Sequence, residues 1–322
     1  MSLSLLIQRN LQWPYIAALS GGVVMSILPH TMMMDRYREF YQLYIGGAET
    51  PLDADTKKLT KQVCKDILVP EPGCEFFACY GFEPVHMGSF KLIKGCIVGL
   101  PLNFKYKTMD DIDRDKIFVM QKDMDHDKPQ PPKWNSDAGV ALLDSLVLSE
   151  NAKKFAIARE LEYCNSHYVW VNSGLISAYG FMAYWMGFAT NVMLNLKTRL
   201  KPWARGGLYL AFGASAYSLY LVSHDAYSFR QDKKVDRKMG DVSLQYAVGG
   251  LEFYTKALQR NQAIRTMMGE EGAKIFRKSG NRNLFIRAPN VPLTKRRDLM
   301  MEICMEKSAP LPGTGTPKPV EV

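Results

Sequence analysis

The stretch FAIARELEYC, Phe155 to Cys164, comes close to a zinc-hydrolase helix. Such a helix carries histidines at i and i+4 with a glutamate after the first. The imidazoles supply two of the three protein ligands, and the glutamate works as general base on the metal-bound water. Here the frame reads Arg159-Glu160-Leu161-Glu162-Tyr163, so the glutamate is present and both histidines are replaced. Arginine stays protonated and offers no lone pair, and its charge repels a divalent ion. A phenol is a poor substitute for an imidazole. The histidines at 30, 86, 126, 167 and 224 form no H-x-x-x-H pair, and Cys164 and His167 beside Glu160 have no second cluster to complete a site. No metal and no cofactor is expected, and Glu160 should pair with Arg159 or another cation rather than act as a base.

Two further patterns could carry chemistry. Asp123, Asp125 and Asp127 imitate the start of a calcium loop, but Lys128 and Trp134 stand where glycine and a bidentate glutamate are needed, so a solvated acidic loop is expected. The six cysteines, at 64, 74, 79, 96, 164 and 304, form no C-x-x-C pair. Free thiols are expected, with a Cys74–Cys79 bridge open in an oxidising compartment.

The elements that must position these residues divide by charge. The chain has 322 residues and a net charge of +9; residues 35–162 carry 18 basic and 21 acidic groups, residues 224–322 carry 18 and 11. The basic C-terminal part could touch anionic lipid, and it holds no RNA-binding motif, so no nucleic-acid partner is expected. Three runs lack charged side chains: Asn10 to Met34, Tyr163 to Leu196 and Gly206 to His224. Each reaches the ~20 residues a bilayer requires, or nearly so, which predicts an N-terminal anchor (1–34) and a transmembrane hairpin (163–224). The hairpin loop KTRLKPWAR, within 197–205, is strongly basic and predicts the side on which the N-terminus lies.

Between these runs the 35–162 segment reads as an α+β soluble domain. Leu59, Val63, Ile67 and Leu68 recur at helical spacing over 54–68; CEFFACYGFEPV is strand-like; KLIKGCIVGLPLNF reads as a buried strand ended by Pro101. An acidic, then proline-rich loop is expected near 109–133, and Ser149 with the residues after it marks a helix start. Residues 225–307 read as a basic helical region packing on the soluble domain, with an interruption near Gly249-Gly250, and 308–322 as a disordered tail. The fold class expected is thus membrane α+β.

The order of parts resembles HtpX-type and CaaX-type membrane zinc metalloproteases. In that resemblance Arg159 and Tyr163 fall at the histidine positions, Glu160 at the general base, Asp236 in VDRKMGDVSLQYA at the third ligand and Gly240 at a following aspartate. The implied scaffold is a degenerate, protease-like one. A more specific likeness runs through LVLSENAKKFAIARELEYCNS, GGLEFYTKALQRNQAIRTMMGEEGAKIF, SGN and TKRRD. On these stretches the chain is identified as a member of the transmembrane protein 177 family, which shares the arginine and tyrosine at the histidine positions.

That resemblance implies a multi-pass protein of the mitochondrial inner membrane. It further implies a non-catalytic factor supporting biogenesis of cytochrome c oxidase subunit II. The implied partners are cytochrome c oxidase assembly protein 20, the newly made subunit and membrane lipid. For a scaffold that holds rather than cleaves, an open strand edge is expected at Gly95–Pro101, with Cys96, Ile97, Val98, Gly99 and Leu100 receiving an extended client. The enzyme alternative is an active membrane metalloprotease, which bound zinc would reveal. A pore would need ionisable groups inside the uncharged runs, and these have almost none.

Overall fold

The computed structural model describes residues 16–17, 19–70, 73–114, 117, 134–284 and 287–309. The acidic triplet Asp123, Asp125 and Asp127, the residues beyond 309, and Trp13 and Tyr15 of the expected anchor lie outside the described residues. The described chain is mostly helical. Its helices are α1 (19–27), α2 (Met34–Tyr41), α3 (Ala54–Asp66), α4 (Asp137–Leu146), α5 (Glu150–Asn165), α6 (Tyr168–Met193), α7 (Leu196–Arg199), α8 (Pro202–Val242), α9 (Leu244–Ile275) and α10 (Leu293–Ser308). Strands β1 (Tyr44–Ile45) and β2 (Ala48–Glu49) form a hairpin, and β3 (Cys74–Cys79), β4 (Val85–Gly88) and β5 (Cys96–Pro101) a three-stranded sheet.

The expected transmembrane architecture does not hold. Among the described residues no helix is both long and apolar enough to cross a membrane. The physical reason is that uncharged is not the same as apolar. The run from Tyr163 to Leu196 contains Asn165, Ser166, His167, Asn172, Ser173, Ser177, Thr190, Asn191 and Asn195 besides four tyrosines, and these amides and hydroxyls cancel much of the hydropathy of its neighbours. The third run is not a separate element either: it forms part of the 41-residue α8, which continues without a break through charged residues to Val242. Helices α6 and α8 carry both exposed large side chains (Trp170, Phe181, Trp185, Trp203, Leu210) and polar ones.

Two compact units are built from interleaved segments. The first comprises 1–102, 160–232 and 285–291; the second comprises 103–159, 233–284 and 292–322.

In the first unit the sheet order is β3-β5-β4, with β3 parallel and β4 antiparallel to β5. Side chains alternate between its faces. Phe77, Cys79 and Ile97 share one face with Met34 of α2, and Val85, Met87, Tyr37 and Tyr41 pack around them. By register the other face holds Cys74, Cys96, Val98, Leu100 and His86. The C-terminal end of α5 meets that second face, where the Cys164 carbonyl accepts from Phe90 N (3.1 Å) and Ser89 Oγ (2.7 Å). Local signals account for the smaller elements. Asp53 caps α3 by accepting from Thr56 N at 3.0 Å, and Leu59 and Val63 are buried as their spacing predicts. Leu68 lies beyond the helix end, at a positive φ of 56° and exposed. Gly46 and Gly47, at φ 62° and 82°, supply the two left-handed positions that a two-residue hairpin turn needs.

All six cysteines are free thiols. A Cys74–Cys79 bridge is ruled out by parity and distance: five residues along β3 put them on opposite faces and roughly 17 Å apart, far beyond disulfide reach.

In the second unit α9 packs against both α4 and α10. Ser149 caps α5 from Ala152 N at 3.2 Å, as its sequence position suggests, and its own N–H donates to Glu252 at 2.8 Å. No interruption occurs at Gly249-Gly250, which lie within α9. They are there for close approach: a Cβ at Gly249 would sit 2.2 Å from the Asn151 carbonyl oxygen, and one at Gly250 would sit 2.8 Å from the Phe155 ring. The breaks fall instead at Ser243, which caps α9 from Tyr246 N, and at Gly269, with φ 60°.

Candidate functional site

Within the first unit the protease-like positions Glu160 and Tyr163 gather a polar cluster. The β4 parity that puts Met87 on the α2 face puts His86 on the other, against α5. There His86 Nδ1 lies 2.5 Å from Glu160 Oε2, and the Glu160 side chain is 2% exposed. The Tyr163 ring stacks on the His86 imidazole, centroids 5.2 Å apart and planes within 7°. Its hydroxyl donates to Asp232 Oδ1 on α8, and the other oxygen of Asp232 accepts from Val291 N at 3.0 Å. Tyr168 stands edge-on to His86; its hydroxyl donates to the Gly88 carbonyl at 3.1 Å and lies 3.2 Å from His30 Nδ1. On the far face of the sheet, burial, aided by the Glu160 charge, pushes the Cys79 thiol up to about 12, which keeps it protonated.

Chemically this is a carboxylate–imidazole pair flanked by a phenol that is itself tied to a carboxylate. Glu160 orients His86 through this contact. Both polar ends of the Tyr163–Asp232 contact are used internally. Among the described residues no three His, Cys, Asp or Glu side chains come together as a metal ion would require.

Arg159 and Asp236 belong to the second unit. The Arg159 guanidinium lies over the Phe253 ring at 5.1 Å, a cation–π contact. Asp236 is fully buried and holds two oxygens against Arg296 (Nε to Oδ2 2.6 Å, Nη2 to Oδ1 2.7 Å) while Tyr254 donates to Oδ1 at 2.6 Å. Burial raises the Tyr254 pKa well above an ordinary phenol and Asp236 adds to that, with the Arg296 charge opposing. Gly240, at the slot of the protease aspartate, faces Ile303 and Met300, so a side chain there would meet hydrocarbon.

Two residues of this arrangement escape sequence reasoning. His86 stands in a four-residue strand with no motif around it, and only the β4–β5 register reveals which face it serves. Asp232 precedes Asp236 by one helical turn; the pair spells D-x-x-x-D, the spacing of the protease E-x-x-x-D pattern, and it is Asp232 that meets Tyr163. That spacing was the available signal.

The strand expected to offer an open edge does not offer one. β5 is the middle strand: Cys96, Ile97, Val98, Gly99, Leu100 and Pro101 pair with β3, and the first four also pair with β4. All six are buried, the mark of a central strand rather than an edge. The outer side of β3 is partly covered too, since Leu43 N donates to Ala78 O at 2.8 Å and Tyr80 N to Tyr41 O at 2.9 Å.

The profile of the family described as Transmembrane protein 177 matches residues 79–309, which include His86, Arg159, Glu160, Tyr163, Asp232, Asp236 and Arg296. The chain belongs to this family. It is 31% identical to Transmembrane protein 177 of Xenopus laevis, over 86% of this chain and 88% of that protein. It is 30% identical to the Danio rerio protein (94% and 96% covered) and 29% identical to the Homo sapiens one (92% and 93% covered). No solved structure matches the chain. The name of the transmembrane protein 177 family marks its members as membrane proteins.

Proposed function

We propose that this member of the transmembrane protein 177 family is a non-catalytic factor of the mitochondrial inner membrane. It supports biogenesis of cytochrome c oxidase subunit II by binding and stabilising cytochrome c oxidase assembly protein 20. One observation carries the non-catalytic part. Each residue at a protease-like position is engaged by a neighbour: Glu160 by His86, Tyr163 by Asp232, Arg159 by Phe253 and Asp236 by Arg296 and Tyr254. A hydrolytic site needs an open metal position and a polarised water; charges held in this way serve shape instead. The location and the partner rest on the family likeness alone. In this reading Cys96–Leu100 act from inside the sheet, as support, and partners bind other surfaces.

The test is affinity purification of the full chain from mitochondria, probed for assembly protein 20 and subunit II. Co-purification of both, with the Glu160→Gln variant capturing them equally, is the expected result. Absence of both from the wild-type eluate would overturn the partner assignment. Cleavage of subunit II by the purified chain, lost in Glu160→Gln, would overturn the non-catalytic one.

A further inference from the structure

On the sheet face opposite Met34, three cysteines meet. Cys74 opens β3 and Cys96 opens β5, and they are direct register partners on adjacent parallel strands. Register partners on neighbouring strands present their side chains to the same face, with backbones roughly 4.8 Å apart. That separation lies inside the Cα–Cα range that a disulfide tolerates. The Cys96 thiol interacts with both the Cys74 and the Cys164 thiols. Backbone contacts lock this corner. Cys96 N donates to Gly73 O at 2.8 Å, and a Cβ at Gly95 would sit 2.1 Å from the same oxygen, so β3 and β5 begin in close contact. Exposure differs among the three: Cys74 is half-buried, Cys96 is 2% exposed and Cys164 is fully buried.

We infer that Cys74 and Cys96 form a thiol–disulfide exchange site, with Cys74 the entry thiol and Cys96 the resolving thiol. The oxidant class is a small disulfide of the glutathione type. Cys74 gives its proton to water, and its thiolate attacks one sulfur of R–S–S–R, expelling R–S⁻, which takes up a proton. Cys96 then gives up its proton and attacks the Cys74 sulfur of the mixed disulfide, expelling the second R–S⁻, which is protonated in turn. Two protein thiols are oxidised to one disulfide and one external disulfide is reduced to two thiols. The order follows from access, because Cys74 is the less buried of the two thiols. The bridge joins two strands that already pair, so it forms without moving them apart. Nothing in this inference depends on the partner assignment above.

The experiment uses the reduced full chain, equilibrated with oxidised and reduced glutathione, alkylated and mapped by peptide mass spectrometry. The wild-type chain is expected to lose a pair of its six alkylatable thiols and to yield a peptide linking Cys74 to Cys96. Cys164→Ala and Cys79→Ala should yield the same link. Cys74→Ala should yield no bridge, and Cys96→Ala should stop at a glutathione adduct on Cys74. The wild-type map decides the matter even if Cys96→Ala fails to fold. A link between Cys96 and Cys164, persistence of a bridge in Cys74→Ala, or a wild-type chain that ends as a stable Cys74 adduct would overturn the assignment.

Discussion

Arg296 grips Asp236 through two hydrogen bonds, Nε to Oδ2 at 2.6 Å and Nη2 to Oδ1 at 2.7 Å, in a site that leaves the carboxylate fully buried. The guanidinium also lies 5.0 Å over the Tyr254 ring, whose hydroxyl donates to the same carboxylate. Removing one member of a buried pair strands the other charge without water, at a cost of about 3–5 kcal/mol. Asp236→Ala is expected to lose that much in urea denaturation of the full chain. Replacing both partners, as in Asp236→Leu/Arg296→Met, should recover much of the loss, because no charge is left uncompensated. Tyr254→Phe removes one hydrogen bond to a charged acceptor and should cost about 1.5–3 kcal/mol. Losses in the double variant that equal the sum of the singles would show that Arg296 and Asp236 do not act as a pair.

Metal analysis tests whether the protease-like arrangement is preserved in disarmed form. The unmodified chain is expected to hold no stoichiometric zinc. Tyr163→His would put an imidazole beside His86, Glu160 and Asp232, all groups of the kinds that bind zinc. The Tyr163→His variant is therefore expected to bind about one zinc ion per chain. Failure of that variant to bind would mean that the metal geometry is gone beyond its histidines. Zinc in the unmodified protein would make proteolysis the leading reading.

How far the sequence reached depends on how local each signal is. Helix α3 was legible because its cap, Asp53, and its buried face, Leu59 and Val63, lie within a few residues of one another. The buried run at Cys96–Pro101 announced a strand, yet not its neighbours. Its apolar continuity, read as a client-binding edge, marks a strand paired on both sides. Gly249-Gly250 read as a helix break because glycine is a poor helix former; the structure spends that pair on a close backbone approach, which only a tertiary neighbour, Asn151, reveals. The runs at 163–196 and 206–224 fall short of a membrane span among the described residues for a different reason. Counting charges ignored the amides and hydroxyls, several of which bond within the unit, as Ser26 does to Ser173 at 2.7 Å and Tyr220 to Asn172 at 2.9 Å. For the candidate site, Glu160 and Tyr163 were visible in a motif frame, whereas His86 entered through strand register, which no local pattern encodes.

The close approach at Gly249 makes a sharp prediction. An added Cβ would meet the Asn151 carbonyl oxygen at 2.2 Å and its carbon at 2.4 Å, both backbone atoms that cannot rotate away. Alanine is the better helix former, so propensity alone would favour Gly249→Ala by about 1 kcal/mol. Overpacking costs about 1–3 kcal/mol and here falls on rigid backbone, so it wins. Gly249→Ala is expected to lower the melting temperature of the full chain. Gly213→Ala, in α8 with nothing within 4 Å of the added atom, should leave it unchanged or raise it. A neutral Gly249→Ala would mean that α9 can move away from Asn151 at no cost.

The pair formed by Asp225 and Arg287 gives a pH dependence of known sign. Arg287 Nε donates to Asp225 Oδ2 at 2.6 Å and Nη2 to Oδ1 at 2.5 Å. These bonds hold the Asp225 carboxyl below the usual carboxylate range; burial pushes the other way, and His224 adds to the lowering. A carboxylate whose pKa is lower folded than unfolded stabilises the fold above its unfolded value, and the contribution is lost as pH falls through the folded value. Because the Arg287 side chain is 39% exposed, the contribution is small, about 1 kcal/mol or less. Asp225→Asn removes it. The melting temperature of the wild type should therefore exceed that of Asp225→Asn by a small margin at about pH 5 and above. The margin should close in more acid solution, where Asp225 is protonated in the folded chain as well. A margin that instead widened on acidification would mean that Asp225 is harder, not easier, to ionise in the folded chain, and the tether to Arg287 would have to be abandoned.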